Sequence, residues 1–377
     1  MFRLFVTVIL LLLALQITFR AQANLLWLAD VVTTSFPYVF MLLAVALFLS
    51  TFNYERFKVF IATSSIIAFI LFSLPIIIVY WRGKNLPEEL SAVFPSANTH
   101  HELRKPFSFI KMFTGIGVKK VPYQTITYKT LPDENLTLDY YPSDSLKKSP
   151  VVIVIHGGAW ESGDSKQLPA LNSYLADRGY NVASINYRLA PEYKSPAPVE
   201  DTKDVIAYLT QNAEKLNIDT NNIILLGRSA GAQIALVAAY SLHNTNIKGV
   251  ISYYGPADMV WGGQTKVNKL VLNTDEIYNA YFGGVYSEVP DKFKESSACE
   301  YVNALSTPTL MIHGTTDPLV SYYHSVRLQD KLNGVHVKNY FLSLPFATHG
   351  CDFNINGPYG QITTYTVERF INSVTSK

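Results

Sequence analysis

Cysteine is scarce in this chain: Cys299 and Cys351 are the two in 377 residues, too few for a disulfide framework. Neither sits in a C-x-x-C pair, and the adjacent His100-His101 reads as solvated linker, so metal-ligand spacing is missing. Charge is scarce as well. Charged side chains make up 16% of the residues against 49% hydrophobic, and a net charge of +2 lacks the basic surplus that nucleic acid requires. There is no internal repeat and no low-complexity tract, and no cofactor is called for.

The shortage of charge is concentrated at the front. Phe5 to Phe19, Ser35 to Phe52 and Val59 to Trp81 are apolar runs. A membrane-spanning helix needs about 20 mostly apolar residues. The third run meets this, the second reaches it by borrowing from Leu25 to Val32, and the first is short. Residues 1–82 are therefore expected to hold two or three transmembrane helices. The first is alternatively a signal peptide, since Ala21-Gln22-Ala23 fits a small-x-small cleavage site. Even extended, the runs contain one charged residue, Asp30, fewer than a polar conduit needs; an anchor is the simpler account. Arg56 and Lys58, in the turn between the second and third runs, place that turn on the cytoplasmic side and the C-terminal domain outside, although Arg82 and Lys84 pull the other way. Residues 83–120 read as a juxtamembrane linker. Its stretch from Glu102 to Phe113 mixes basic and aromatic side chains and either lies in the headgroup layer or packs on the domain that follows.

Beyond residue 120 the pattern changes. Gln124–Tyr128 and Leu136–Tyr141 alternate like an antiparallel pair. Val151–Ile155, Asn181–Asn186, Ile223–Leu226, Gly249–Tyr254 and Thr309–Ile312 are continuous apolar or β-branched runs, as expected of strands covered on both faces. Helical spacing over Leu168–Asp177, Val199–Asn212, Ala232–Leu242, Ser321–Leu332 and Thr363–Ser373 alternates with them. The expected fold class is α/β, a mostly parallel sheet with helices on both faces.

The chemistry-bearing residues fall at the ends of these strands. Gly227-Arg228-Ser229-Ala230-Gly231 follows Ile223–Leu226 and opens a helix, which is the strand–turn–helix of a nucleophile elbow. Side chains at 227 and 231 would collide with the neighbouring strand and helix. His156-Gly157-Gly158-Ala159-Trp160 follows another strand, where backbone amides could meet a developing oxyanion. Asp317 lies just past Ile312, and His349 follows the strand-like run Val335 to Leu344. Serine needs an adjacent base; His349 suits that role, with Asp317 holding its tautomer. His313 and His324 compete as bases. His313 precedes Asp317 by too little chain to face it, and His324 falls inside a predicted helix. Asp352 is the rival acid but follows His349 too closely. Glu200 and Asp201 start a helix and complement its dipole.

Taken together, residues 121–377 resemble an α/β-hydrolase of the esterase/lipase group that carries an HGG oxyanion motif. Asn186-Tyr187-Arg188-Leu189-Ala190-Pro191-Glu192 and Pro196-Ala197-Pro198-Val199-Glu200-Asp201 resemble that group's segments too. HGGAW is closer to small carboxylesterases, feruloyl-esterase-like proteins and isoprenylcysteine methylesterases than to the HGGG of hormone-sensitive-lipase relatives. Ala232-Gln233 stands where many relatives have a further glycine. The resemblance implies a triad of Ser229, Asp317 and His349, and an oxyanion hole of Gly157, Gly158, Ala159 and Ala230, in which Gly157 makes the turn and the other three supply amides. It also implies a small cap at about 258–302, whose aromatics line a pocket or form the cap's own core. Trp160 either shapes the pocket wall or packs under its loop, and His156 holds that loop. The function expected is a membrane-anchored serine hydrolase acting on a small-molecule or lipid-like ester. Membrane lipid is the other partner, and nucleic acid is none. An acyltransferase or peptidase would use the same triad. A catalytically dead scaffold would usually have lost a triad residue or an elbow glycine, and none is lost here. Cys299 and Cys351 are either two unpaired thiols or, where the domain faces an oxidising space, candidates for a disulfide.

Overall fold

The computed structural model describes residues 1–53, 56–95, 103, 105–375. His100, His101 and Glu102, named above, lie outside the described residues, as does Arg104 within the stretch from Glu102 to Phe113. Eight strands form one sheet: β1 (Gln124–Thr130), β2 (Asn135–Tyr141), β3 (Ser149–Ile155), β4 (Asn181–Ile185), β5 (Ile218–Arg228), β6 (Ile247–Tyr253), β7 (Thr309–Gly314) and β8 (Asn339–Leu344). Their order is β1-β2-β4-β3-β5-β6-β7-β8. β1 and β2 are antiparallel, as is β2 with β4, and every later pairing is parallel. β8 starts later than the run at Val335 suggests, because His336 takes a left-handed turn (φ 60°) between helix and strand.

Thirteen α-helices accompany the sheet among the described residues. Four precede it: α1 (Phe2–Gln16), α2 (Asn24–Ser35), α3 (Pro37–Ser50) and α4 (Lys58–Val93), followed by the single turn α5 (Lys111–Thr114). α6 (Pro169–Asp177), α7 (Ala197–Gln211), α8 (Ala230–Ser241), α12 (Tyr323–Gly334) and α13 (Pro358–Thr375) are interleaved with strands or close the chain. Between β6 and β7 come α9 (Met259–Gln264), α10 (Thr274–Phe282) and α11 (Pro290–Glu295). Pro358 at the first turn lets α13 begin five residues before the predicted helix. Side chains alternate between two buried clusters along the central strands. Val151, Ile153 and Ile155 face one, and Val152 and Val154 the other. The sheet is thus sandwiched, and this is an α/β-hydrolase fold.

The N-terminal region differs from expectation in two places. α4 is one helix long and apolar enough to cross a membrane, but it does not stop at residue 82. It runs on to Val93, and Val79, Leu86 and Leu90 are fully buried in the cluster that also holds Val152 and Ile312. Burying such side chains contributes roughly 1.5–3 kcal/mol each. Arg82 pairs with Glu89 at 2.8 Å and donates to Tyr340 Oη at 2.6 Å, so these charges mark docking onto β8 rather than a helix end. Leu103 and residues 105–120 are likewise no free linker. Met112 and Ile116 are buried, the Leu103 amide donates to Glu368 and the Ser108 amide to Gln361, both on α13. Phe109, Ile110 and Phe113 remain exposed. In the second place, the apolar run after Ser35 cannot borrow Leu25 to Val32 as a straight extension, because α2 and α3 meet at 87°. Pro37 at the first turn of α3 supplies no amide to continue α2. Both cysteines are buried and unpaired.

Candidate active site

β5 delivers Ser229 to a sharp corner. Its backbone stands at φ 53°, ψ −120°, a strained conformation for a residue with a side chain, and α8 begins at the next residue. The corner survives because its flanks have no side chains. A Cβ on Gly227 would lie 2.1 Å from the Gly231 carbonyl oxygen, and one on Gly231 would lie 2.2 Å from that of Ile155. The Ser229 amide donates to Tyr253 O at 2.9 Å, tying the corner to β6. Beneath it Arg228, almost wholly buried, pairs through Nε with Asp352 at 2.6 Å, and Tyr254 Oη donates to the other oxygen of that carboxylate at 2.6 Å. Asp352 therefore braces the corner and the loop that bears His349.

The turn after β3 lies alongside. Gly158, Ala159 and Trp160 all have positive φ (124°, 52° and 64°), a run that turns successive amides toward one side. Gly157 approaches the corner closely: a Cβ there would be 3.1 Å from that of Ser229. Its own amide, however, donates to Gln167 Oε1 at 2.8 Å. Gly157 thus offers close approach to Ser229 while its amide is engaged by Gln167. Among the described residues, no acceptor takes the Gly158 or Ala159 amide, and Ala230, first in α8, has an amide that the helix ladder does not use. Trp160 packs on its neighbours and also faces the cavity. Its ring stacks on Tyr281 at 4.5 Å, its Nε1 donates to Gln233 Oε1 at 3.0 Å, and it lines the cavity in front of Ser229. Gln233, the departure in the elbow helix, also donates to Ser296 O at 2.8 Å and so ties α8 to the β6–β7 segment. His156 stacks on Tyr187 at 4.3 Å and bonds Gly157 O; burial pushes its pKa down.

His349 and Asp317 meet behind the cavity. His349 Nδ1 lies 2.7 Å from Asp317 Oδ2. The other carboxylate oxygen accepts the Leu319 and Val320 amides at 2.9 Å each. Burial alone would raise this carboxyl's pKa, but the His349 and His313 imidazoles outweigh it and hold Asp317 well below the usual carboxylate range. An ionised carboxylate only accepts, so the Nδ1 proton resides on His349 and Nε2 is the nitrogen left to act as base. His313 is not the bystander the sequence implied. Its Nε2 sits 3.1 Å from the same Asp317 Oδ2, and its Nδ1 is 2.8 Å from Ser325 Oγ. The tight turn at Gly314 brings residues four apart onto one oxygen. His324 Nδ1 instead accepts the Asp258 amide at 3.2 Å, and burial, then His313, push its pKa down to about 3. Asp201 does more than face a helix dipole, since it is buried and paired with Arg188 at 2.9 Å and Lys129 at 3.0 Å.

Ser229, Ala230, Gly157 to Trp160 and His349 all line one cavity of about 640 Å³, a size suited to a small organic ligand. Trp261, Ile277 and Tyr278 from the β6–β7 segment line it as well. So do Asn24 and Trp27, which sequence reasoning left in the membrane region. Trp27 Nε1 donates to His349 O at 3.0 Å. Nothing in the apolar run around Trp27 distinguishes it from a lipid-facing side chain. Among the described residues, no group of three His, Cys, Asp or Glu side chains is placed to hold a metal ion.

Sheet order, elbow and the serine, acid, histidine sequence define an α/β-hydrolase. The BD-FAE family model matches residues 138–332, just over half of the chain, and the chain belongs to that family. The esterase LipC of Mycobacterium tuberculosis (strain ATCC 25618 / H37Rv) is 28% identical over 242 residues, 60% of this chain and 59% of LipC. The isoprenylcysteine alpha-carbonyl methylesterase ICME of Arabidopsis thaliana is 27% identical over 259 residues, 64% of this chain and 59% of ICME. The chain thus spans somewhat over half the length of these curated relatives. Among solved structures, an esterase from Pyrobaculum calidifontis superposes with a TM-score of 0.60 at 21% identity, over 71% of this chain and 89% of its own. A bacterial heroin esterase does so at 0.59 and 20%, over 70% and 88%. At these identities the two structures share the fold.

Proposed function

We propose that this protein is a membrane-anchored carboxylic ester hydrolase that works through an acyl-serine intermediate. The observation that carries this reading is the strained Ser229 corner opening on the same cavity as a His349 whose Nδ1 is bonded to buried Asp317. His349 Nε2 takes the Ser229 hydroxyl proton as Oγ attacks the ester carbonyl. The resulting oxyanion is met by the amides of Gly158, Ala159 and Ala230. Collapse breaks the ester bond, and the leaving alcohol receives the proton from His349. Water, deprotonated by the same imidazole, then attacks the acyl carbonyl, and collapse releases the acid and restores the serine. Asp317 keeps the imidazole in its working tautomer throughout. The segment 258–302 caps the cavity. The names of LipC and ICME support ester cleavage.

The apolar length of α4 supports membrane anchoring, and Arg56 and Lys58 at its start favour a cytoplasmic turn with the catalytic domain on the other side. The test is an active-site probe with a matched substrate. Wild-type protein should be labelled by a fluorophosphonate and should cleave p-nitrophenyl butyrate; Ser229→Ala should lose both while keeping its circular dichroism spectrum. Undiminished turnover by Ser229→Ala refutes the assignment. A membrane-impermeant fluorophosphonate on intact cells reports the side on which Ser229 lies.

A further inference from the structure

Helix α2 is where the apolar N-terminal region reaches the catalytic cavity. Asn24 and Trp27 line it beside His349 and Phe353. Both ends of the helix are bonded to the catalytic domain: the Asn24 amide donates to Leu270 O at 2.9 Å, and Asn354 Nδ2 donates to Ser35 O at 3.0 Å. α2 is therefore a wall of the cavity, held in place by directional bonds.

That wall turns sharply away from the apolar bundle. α1, α3 and α4 share one buried cluster built on Leu10, Ala14, Ala44 and Phe72, whereas α2 leaves α3 at 87°. With the bundle upright in a bilayer, α2 lies near the membrane plane, as an interfacial helix does. Its composition fits that depth: Asp30 is the one charged residue in α2, and it is buried against Gln16. Leu25, 77% exposed, and Leu28, 46% exposed, are outside the cavity lining and turned to the surroundings. Leu270, which α2 bonds, is 74% exposed on the neighbouring segment. Large exposed apolar side chains next to residues that line a cavity are unfavourable in water and favourable against lipid.

We propose that the substrate is a membrane-resident ester with a long acyl chain, which reaches Ser229 sideways from the bilayer past α2 while its tail stays in lipid. This rests on the serine-esterase and membrane-anchor reading above. A short ester also suits a cavity of about 640 Å³.

The full chain in phosphatidylcholine vesicles tests this with two probes, p-nitrophenyl palmitate dissolved in lipid and p-nitrophenyl butyrate in the buffer. Palmitate in the protein's own vesicles should be cleaved about 10-fold faster or more than the same ester in separate, protein-free vesicles. The double variant Leu25→Glu, Leu28→Glu makes the lipid-facing surface of α2 acidic, and should lower palmitate cleavage about 10-fold with butyrate cleavage within about twofold. Equal rates for the two palmitate placements overturn the proposal. So does a variant that loses both esters in proportion, since α2 would then matter to the fold alone, or one that keeps both. If wild type cleaves butyrate and leaves palmitate intact, lateral access fails and the esterase reading stands. If it cleaves neither and Ser229 resists fluorophosphonate, the esterase reading itself fails.

Discussion

His313 Nε2 lies 3.1 Å from Asp317 Oδ2, the same oxygen that His349 Nδ1 reaches at 2.7 Å. One buried carboxylate is thus held by two imidazoles and two backbone amides. His313 does not line the cavity, so its effect on turnover must pass through Asp317. A hydrogen bond to a charged group contributes about 1.5–3 kcal/mol. His313→Leu should therefore lower kcat on p-nitrophenyl butyrate by roughly 10- to 100-fold with KM nearly unchanged. His313→Gln, whose amide can donate to the same oxygen, should recover part of the loss. Steady-state kinetics on the three proteins checks this, and a KM change as large as the kcat change would count against a role through Asp317.

The Arg228–Asp352 pair supports a prediction about stability. Both side chains are nearly inaccessible, and Tyr254 donates to the same carboxylate. Removing one partner of a buried pair costs about 3–5 kcal/mol, because the other charge is left unpaired. Asp352→Leu should fall in that range by denaturant unfolding of the protein in detergent micelles. The double variant Arg228→Met, Asp352→Leu should regain much of the loss, since no lone charge then remains. Additive losses in the double variant would show that the pair does not act as a unit.

The central strands and the elbow were legible because their physics is local. Ile223–Leu226 is apolar on both faces, and Gly227 and Gly231 sit where any Cβ would meet backbone oxygen near 2 Å. A four-residue gap made His313 look too near Asp317 to matter, but the turn from Gly314 to Asp317 brings the carboxylate back onto the ring, a local geometry that spacing alone does not reveal. The continuation of α4 was hidden by Arg82, Lys84, Glu88 and Glu89, which break the hydropathy run while Leu86 and Leu90, one turn apart, keep an apolar stripe. Trp27 was hidden for the opposite reason: an apolar run reads alike whether it faces lipid or a catalytic cavity. The turn after β3 was only partly legible, since it takes Gln167, ten residues on, to engage the Gly157 amide.

His324 sets a pH dependence. Buried and with Nδ1 accepting a backbone amide, it has a folded pKa of about 3, depressed from 6.5. Below pH 6.5 the unfolded chain takes up a proton that the folded protein refuses, so stability falls as pH drops from there toward 3. Between pH 6.5 and 5 the contribution is up to about 2 kcal/mol. His324→Asn, which keeps an acceptor but does not titrate, should show a melting temperature that falls by several degrees less than wild type across that interval. Parallel thermal melts at pH 7, 6 and 5 measure the difference. Superimposable pH profiles would mean that the imidazole is not held neutral.

Gly157 and Gly158 should respond differently to the same added methyl group. At Gly158 a Cβ would fall 2.0 Å from the Ser162 carbonyl oxygen, and φ stands at 124°, so alanine forces the turn to rebuild. That displaces together the two amides proposed as oxyanion donors, and losing one oxyanion donor typically costs about 10²–10³ in kcat. Gly158→Ala should therefore fall by at least that much. At Gly157 the nearest atoms are Arg228 O at 3.0 Å and Ser229 Cβ at 3.1 Å, contacts relieved by shifts of a few tenths of an ångström. The amides stay in place and the serine moves, so Gly157→Ala should lose about 10- to 100-fold in kcat, a penalty of misplacement. It should still be labelled by a fluorophosphonate, only more slowly. A Gly157→Ala protein as impaired as Gly158→Ala would place Gly157 among the oxyanion donors after all, with the Gln167 bond yielding when substrate binds.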